Sequence, residues 1–190
     1  MFNTSLIAFA GSRRLAKGEA LVVALAVKDA QDAGEDAPIL VFDTATGRPV
    51  DLDLRGTPDD IRARLEEEET PDAAPQKQRG PGRPKLGVVA REVTLLPRHW
   101  EWLSSQPGGA SVMLRKLVDE ARRTFEAQDR IREAREAAYR FMVATAGNET
   151  DFEEASRALF AGEAGRFAAL VEPWPDDIRE QVLELAEGSF

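Results

Sequence analysis

The chain has 190 residues, with 25 Lys and Arg against 34 Asp and Glu, a formal net charge of −9, one histidine and no cysteine. Its 43% apolar content, drawn from all the large hydrophobic residue types, belongs to a folded globular protein and not to a disordered chain. The missing cysteines exclude disulfide frameworks and thiolate metal sites, and the lone His99 excludes a His-rich metal cage. The acidic balance argues against a surface that coats DNA or an anionic membrane as a whole, because it repels phosphate at long range.

The opening "MFNTSLIAFAG" has a short apolar run with no basic residue ahead of it, so no signal peptide is expected, and no later stretch approaches the length of a membrane span. A cytoplasmic location without a membrane partner is the expectation. Within this first segment "TSLIAFA" reads as a strand, "GEALVVALAVKDAQ" as a largely buried helix and "PILVFD" as a second strand. "RPVDLDL" reads as a third strand, with Val50, Leu52 and Leu54 on one face, and "DTATGR" as the hairpin loop before it, with Gly47 supplying a positive φ. "TPDDIRARL" opens a helix with Thr57 as N-cap and Pro58 in its first position. These elements predict a small β-α-β-β-α module over residues 1–68.

From "EEEETPDAAPQKQRGPGRP" the apolar period is replaced by Pro, Gly, Gln and runs of like charge, which predicts a disordered basic linker over residues 69–87. "VVAREVTLLP" then reads as a strand, "RHWEWLSSQ" as a short helix on which Trp100 and Leu103 share a face, and "PGGAS" as a turn. The long segment from "VMLRKL" to "ATAG" follows as a helix capped by Ser111 and stopped at Gly147. Leu114, Leu117, Val118, Ala121 and Phe125 fall at the 3-and-4 spacing of an apolar stripe. Residues 88–147 are expected to form this strand-and-helix unit, and residues 148–190 two or three further short helices. The fold class expected is therefore α+β, with a mainly helical C-terminal half.

Charge is not spread evenly. Lys77, Arg79, Arg83, Lys85, Arg91 and Arg98 face the single carboxylate of Glu92 within residues 76–99, whereas both flanks are acidic. At the centre of that window, Gly82, Arg83 and Pro84 in "RGPGRPK" resemble the core of an AT-hook, a short peptide that lies in the minor groove of A·T-rich DNA. Pro81 and Pro84 bias the backbone to extended conformations, Gly82 permits close approach, and Arg83 can enter a narrow, strongly negative slot. Pro81 stands where the usual pattern has another residue, leaving the second cation at Arg79, with Lys85 beyond the core. The alternative for these residues is a solubilising spacer.

The order of strand, short helix, Gly-containing turn and longer helix in "REVTLLPRHWEWLSSQPGGASVMLRKLVDEARR" resembles the ribbon-helix-helix DNA-binding proteins over about 33 residues. The resemblance implies a homodimer in which two strands pair into a ribbon that enters the major groove, while the second helices turn their N-terminal amides to phosphate. By position, Val93 and Leu95 would face the helices and Glu92 and Thr94 would face the bases; Arg91, in the basic window, is a further DNA-binding candidate. Ser111, with Gly108 and Gly109, would sit at phosphate. The alternative is a strand and helical hairpin packed in an ordinary core. The order "FAG", "VFDTATGRPVDLDLRG", "GRPKLGVVAREVTLLPRHWEWL" also resembles a bacterial family described as domain of unknown function 2239, which implies no activity.

Enzyme chemistry is not expected. Asp43, Asp51 and Asp53 can approach one another across a hairpin in a manner suited to Mg²⁺, but their alternation with apolar residues fits a solvated strand face. "AGSRRLAKGE" lacks the glycine spacing and Lys-Ser/Thr pair of a P-loop, and His99 has no nucleophile or carboxylate assigned to it. The expectation is a DNA-binding regulator or nucleoid-associated protein of bacteria that takes part in transcription regulation, without cofactor or metal. The alternative is a non-enzymatic protein-interaction adaptor with an acidic surface.

Overall fold

The computed structural model describes residues 5–69, 89 and 91–190. Two compact units divide the chain, one formed by Met1–Asp72 with Asp129–Phe190 and the other by Ala73–Gln128.

The first unit is built on a three-stranded antiparallel sheet of order β2-β1-β3, with β1 Leu6–Ala10, β2 Arg13–Gly18 and β3 Ile39–Asp43. Every residue of β1 is buried, because a central strand with helices on both sides has no solvated face. Its alternate side chains point in opposite directions. Leu6 and Ala8 join Val23 and Val27 of helix α1 (Ala20–Asp32) and Val41 of β3 in one apolar cluster. Ile7 and Phe9 join Phe42 in a second, larger cluster with the C-terminal helices.

Those helices are the end of α4 (Gly109–Thr145), α5 (Phe152–Ala161), α6 (Ala164–Val171) and α7 (Asp176–Ala186). Phe141 of α4 is the hub, its ring centroid 5.4 Å from that of Phe9 and 4.9 Å from that of Phe42, the latter edge-on. The two ends of the chain therefore share one core. Arg135 of α4 ties this layer together, donating from Nε to the carbonyl of Ser189 at 2.9 Å and from Nη1 to that of Phe160 at 3.1 Å. Gln181 of α7 lies in this apolar surrounding, 1% exposed, with neither its Oε1 nor its Nε2 hydrogen-bonded. A buried amide left unpaired costs about 1–3 kcal/mol, so Gln181→Met, which keeps the shape and removes the polar atoms, is expected to raise stability by about 1–2 kcal/mol. Thermal unfolding checks this; a lower midpoint in the variant would mean the amide has a partner.

Several expectations for residues 1–68 change. The segment after β1 is not a loop leading into a helix. Gly11, at φ 56°, turns the chain straight back into β2, and Ala10 pairs with Arg13. The pairing shifts between Ala8 and Phe9, leaving Leu15 as the extra residue. The order is thus β-β-α-β-α. The third strand expected at residues 48–54 is absent as a ladder: beyond the Phe42–Pro49 bridge and the Val50 N–H to Val41 carbonyl bond of 2.8 Å, the segment makes no strand. Pro49 has no N–H to give, and the Asp53 carboxylate accepts from the Arg55 amide and side chain instead. Val50, Leu52 and Leu54 still share a side and pack on the α1 cluster.

Helix α2 (Pro58–Glu69) starts as its sequence requires. Asp60 Oδ2 accepts from the Thr57 N–H at 2.8 Å and from its hydroxyl at 2.7 Å, while the Asp60 N–H reaches Thr57 Oγ1 at 3.3 Å. The Thr57 amide first, and then its hydroxyl, hold the Asp60 carboxyl below the usual carboxylate range. A carboxyl depressed in the folded state contributes stability that is present above its ordinary value and lost as pH falls through its folded one. Asp60→Asn is expected to be less stable than the native chain at pH 6, with the gap closing as the pH falls below about 4. Denaturant unfolding at both pH values measures it.

The second unit contains α3 (Pro97–Ser105), preceded by residues 91–96 without regular secondary structure, and the first turns of α4. The strand expected at residues 89–95 is not formed at the described positions 89 and 91–95, which belong to no strand and no ladder. Among the described residues no helix is long and apolar enough to cross a membrane.

Candidate nucleic-acid interface

Proline at the first position of α3 needs no hydrogen bond there, and the Leu96 carbonyl accepts the first helical bonds, from His99 N–H at 2.9 Å and Trp100 N–H at 3.2 Å. The helix ends where Ser105 Oγ and Gln106 Nε2 both turn back to the Trp102 carbonyl, at 2.8 and 3.2 Å. Gly108 and Gly109, at φ 86° and 73°, then redirect the chain into α4. A side chain at Gly108 would press on Val112 at 3.1–3.3 Å, so this turn is restricted to glycine by both conformation and space.

Arg91, Glu92 and Thr94 are exposed. Leu95 is half-buried, whereas Val93, expected on the same face, is 56% exposed in the single chain. Helix α4 begins two residues before the expected N-cap, so Ser111 is not a cap but an exposed residue of the first helical turn, its carbonyl accepting from Arg115 Nε at 3.0 Å. The two glycines allow the earlier start by supplying the left-handed entry that a serine cap was expected to replace. Arg79, Gly82, Arg83, Pro84 and Lys85 lie outside the described residues.

What most distinguishes this unit is how little it buries. Leu103 is the one buried residue among the described residues of 89–128. Leu96, Trp100, Trp102, Leu117, Val118 and Phe125 are all exposed, and every residue of α4 from Arg115 to Arg130 is in solvent. An apolar helix stripe left exposed among the described residues is an interface feature, not that of a finished core. The stripe was readable from its spacing. The exposure of Leu96 and Trp102 was not, since large apolar residues at helical spacing ordinarily mark a core.

Two of the three carboxylates that could approach a cation, Asp43 and Asp53, are engaged locally. Asp43 Oδ1 accepts from the amides of Ala45 and Thr46 at 2.9 and 2.8 Å, closing the 43–48 loop. Asp53 is paired with Arg55 Nε and Nη2 at 2.9 and 2.6 Å, and these contacts hold its carboxyl well below the usual range. Arg64 braces the same loop through the carbonyls of Asp53 and Arg55 at 2.5 and 2.9 Å. Among the described residues no group of three or more His, Asp or Glu is placed to hold a metal.

These features define a mixed α+β protein with a three-stranded antiparallel sheet and a largely helical C-terminal half, divided into two compact units. The chain belongs to the bacterial family DUF2239, described as an uncharacterised protein conserved in bacteria, whose model matches residues 5–186. No curated protein and no solved structure matches it.

Proposed function

We propose that the chain is a homodimeric bacterial DNA-binding regulator or nucleoid-associated protein, acting by binding and not by catalysis. The observation that supports this most is the second unit. Residues 91–96 belong to no intrachain strand or helix, the Gly108–Gly109 turn separates α3 from α4, and Leu103 alone is buried among the described residues of 89–128. Such a unit gains a core when a second copy pairs with it, residue for residue, as two-fold symmetric partners do. A strand ribbon formed in this way presents Glu92 and Thr94 on one face, with the cation of Arg91 beside them on the alternate side. Arginine reads guanine and anchors phosphate, threonine reads either kind of edge, and a carboxylate in the groove fits only where it accepts from a cytosine amino group. The first turn of α4, at Ser111, supplies amides toward phosphate.

Arg79, Arg83 and Lys85 add a second contact by neutralising phosphate beside a narrow minor groove. Binding is then expected to weaken steeply with salt and to favour A·T tracts, and each phosphate contact removed should lower the log–log salt slope by roughly 0.9. Arg83→Ala should reduce the A·T preference more than Lys85→Ala does. Fluorescence titration with A·T-rich and G·C-rich duplexes at several salt concentrations tests this. Unchanged preference and slope in both variants would make the basic window a spacer. Absence of binding to either duplex would favour the acidic protein-interaction adaptor.

A further inference from the structure

An open sheet has two edges, and each invites a further strand unless something else takes its outward hydrogen-bonding groups. The Thr44 N–H donates to the Ser5 carbonyl at 3.0 Å, which turns the odd-numbered residues of β1 toward β3 and leaves Leu6, Ala8 and Ala10 to bond with Gly18, Ala16 and Arg13 of β2. Two outward groups of β3 are taken by the chain that follows it: the Asp43 N–H donates to the Arg48 carbonyl at 2.9 Å, and the Val41 carbonyl accepts from the Val50 N–H at 2.8 Å. The edge at β2 is met differently. Arg14 lies opposite Phe9, in the outward register, and its N–H donates at 2.8 Å to Oδ2 of Asp177, in the first turn of α7. That carboxylate stands where a fourth strand would bring a carbonyl.

Two ion pairs set α7 along the same strand, Arg14 Nη1 with Glu180 at 3.1 Å and Lys17 with Glu184. Asp177, Glu180 and Glu184 follow the three-and-four spacing of one helix face, so a single acidic stripe meets β2. Glu180 and Glu184 stand largely in solvent, and such pairs contribute little, whereas the Arg14–Asp177 bond is partly buried and charge-assisted, which makes it the stronger fastening. We infer that α7 guards this edge: the Asp177 carboxylate takes the Arg14 amide in place of a fourth strand and keeps β2 from pairing with β2 of a second copy. Identical strands paired antiparallel about a two-fold axis set the same outward groups against each other, so a second copy fits the edge. Repulsion between strand cations is the usual protection of such an edge, but here Glu180 and Glu184 neutralise Arg14 and Lys17, which leaves the protection to Asp177. The guard lies wholly in the first unit and does not depend on the DNA-binding reading.

The test compares Asp177→Ala with Asp177→Asn, which keeps an acceptor oxygen, and with Asp176→Ala, which removes the neighbouring carboxylate of the same helical turn, one paired with Arg179 at 2.9 Å. Amide exchange of the isotope-labelled full chain reads the edge, and sedimentation velocity reads association. Asp177→Ala is expected to exchange its Arg14 amide about tenfold faster than the native chain and to form species larger than the native ones as concentration rises. Asp177→Asn and Asp176→Ala are expected to behave as the native chain does. Asp177→Ser, whose hydroxyl stops one bond short of Arg14, gives the same reading if the alanine variant folds poorly. Unchanged Arg14 exchange in Asp177→Ala, or larger species formed equally by Asp176→Ala, would overturn the guard. Faster exchange without larger species would overturn it too, leaving Asp177 as a fastener of α7 alone.

Discussion

Val93→Pro is expected to turn the dimer into a monomer and to remove duplex binding with it. Proline takes away an amide donor from the proposed ribbon strand and its ring disturbs the neighbouring copy's strand, and a two-fold interface feels each loss twice. Two lost backbone hydrogen bonds at about 1–1.5 kcal/mol each amount to about 100-fold in the dimerisation constant, before any distortion is counted. Val93 is 56% exposed in the single chain and residues 91–96 belong to no intrachain ladder, so the monomer's thermal midpoint should be unchanged. Val93→Ile, which suits a strand equally well, should leave both dimer and DNA binding intact. Sedimentation velocity and duplex titration on the two variants separate these outcomes; a Val93→Pro protein that remains dimeric would show that the segment does not pair between copies.

Gly47→Ala should be the most destabilising single-methyl change in the first unit. Gly47 sits at φ 62° in the loop after β3, and a Cβ there would fall 2.2 Å from the carbonyl oxygen of Ala137 in α4. Backbone stands in the way, so no side chain can move aside. The same approach lets Arg140 Nη1 donate to the Thr46 carbonyl at 2.5 Å, fixing the loop against the helix. Overpacking together with a left-handed backbone gives an expected loss of about 3 kcal/mol, or roughly 6–12 °C in thermal midpoint for a chain of this size. Scanning calorimetry of the variant measures it, and a midpoint within a degree of the native value would mean that the loop does not rest on α4.

The need for glycine at position 47 was visible in "DTATGR", but its closeness to Ala137 was not, because nothing local says which helix a loop will meet. The same limit explains the shared core. Phe9, Phe42 and Phe141 each mark an apolar face of their own element, yet only tertiary folding decides that the three faces coincide. Strand β2 escaped notice for a different reason: "RRLAKG" carries three cations, and a strand at a sheet edge exposes enough of itself to accept them. Arg14 and Lys17 are held there by Glu180 and Glu184 of α7, partners 166 and 167 residues away. The reverse error at residues 48–54 came from an alternation that is real in its packing but lacks the ladder hydrogen bonds that Pro49 and Asp53 divert. In the second unit, the short helix, the glycine turn and the apolar stripe were all legible from spacing. That the stripe lies uncovered was not, since spacing shows which residues share a face but not what lies against it.

Sedimentation of the full chain with a labelled A·T-rich duplex tests the central claim most directly, because it reads binding and stoichiometry together. The account predicts a complex holding two chains per duplex at physiological salt, dispersing as salt is raised. A duplex that sediments alone with the chain present at tens of micromolar, or a complex holding a single chain, would contradict it.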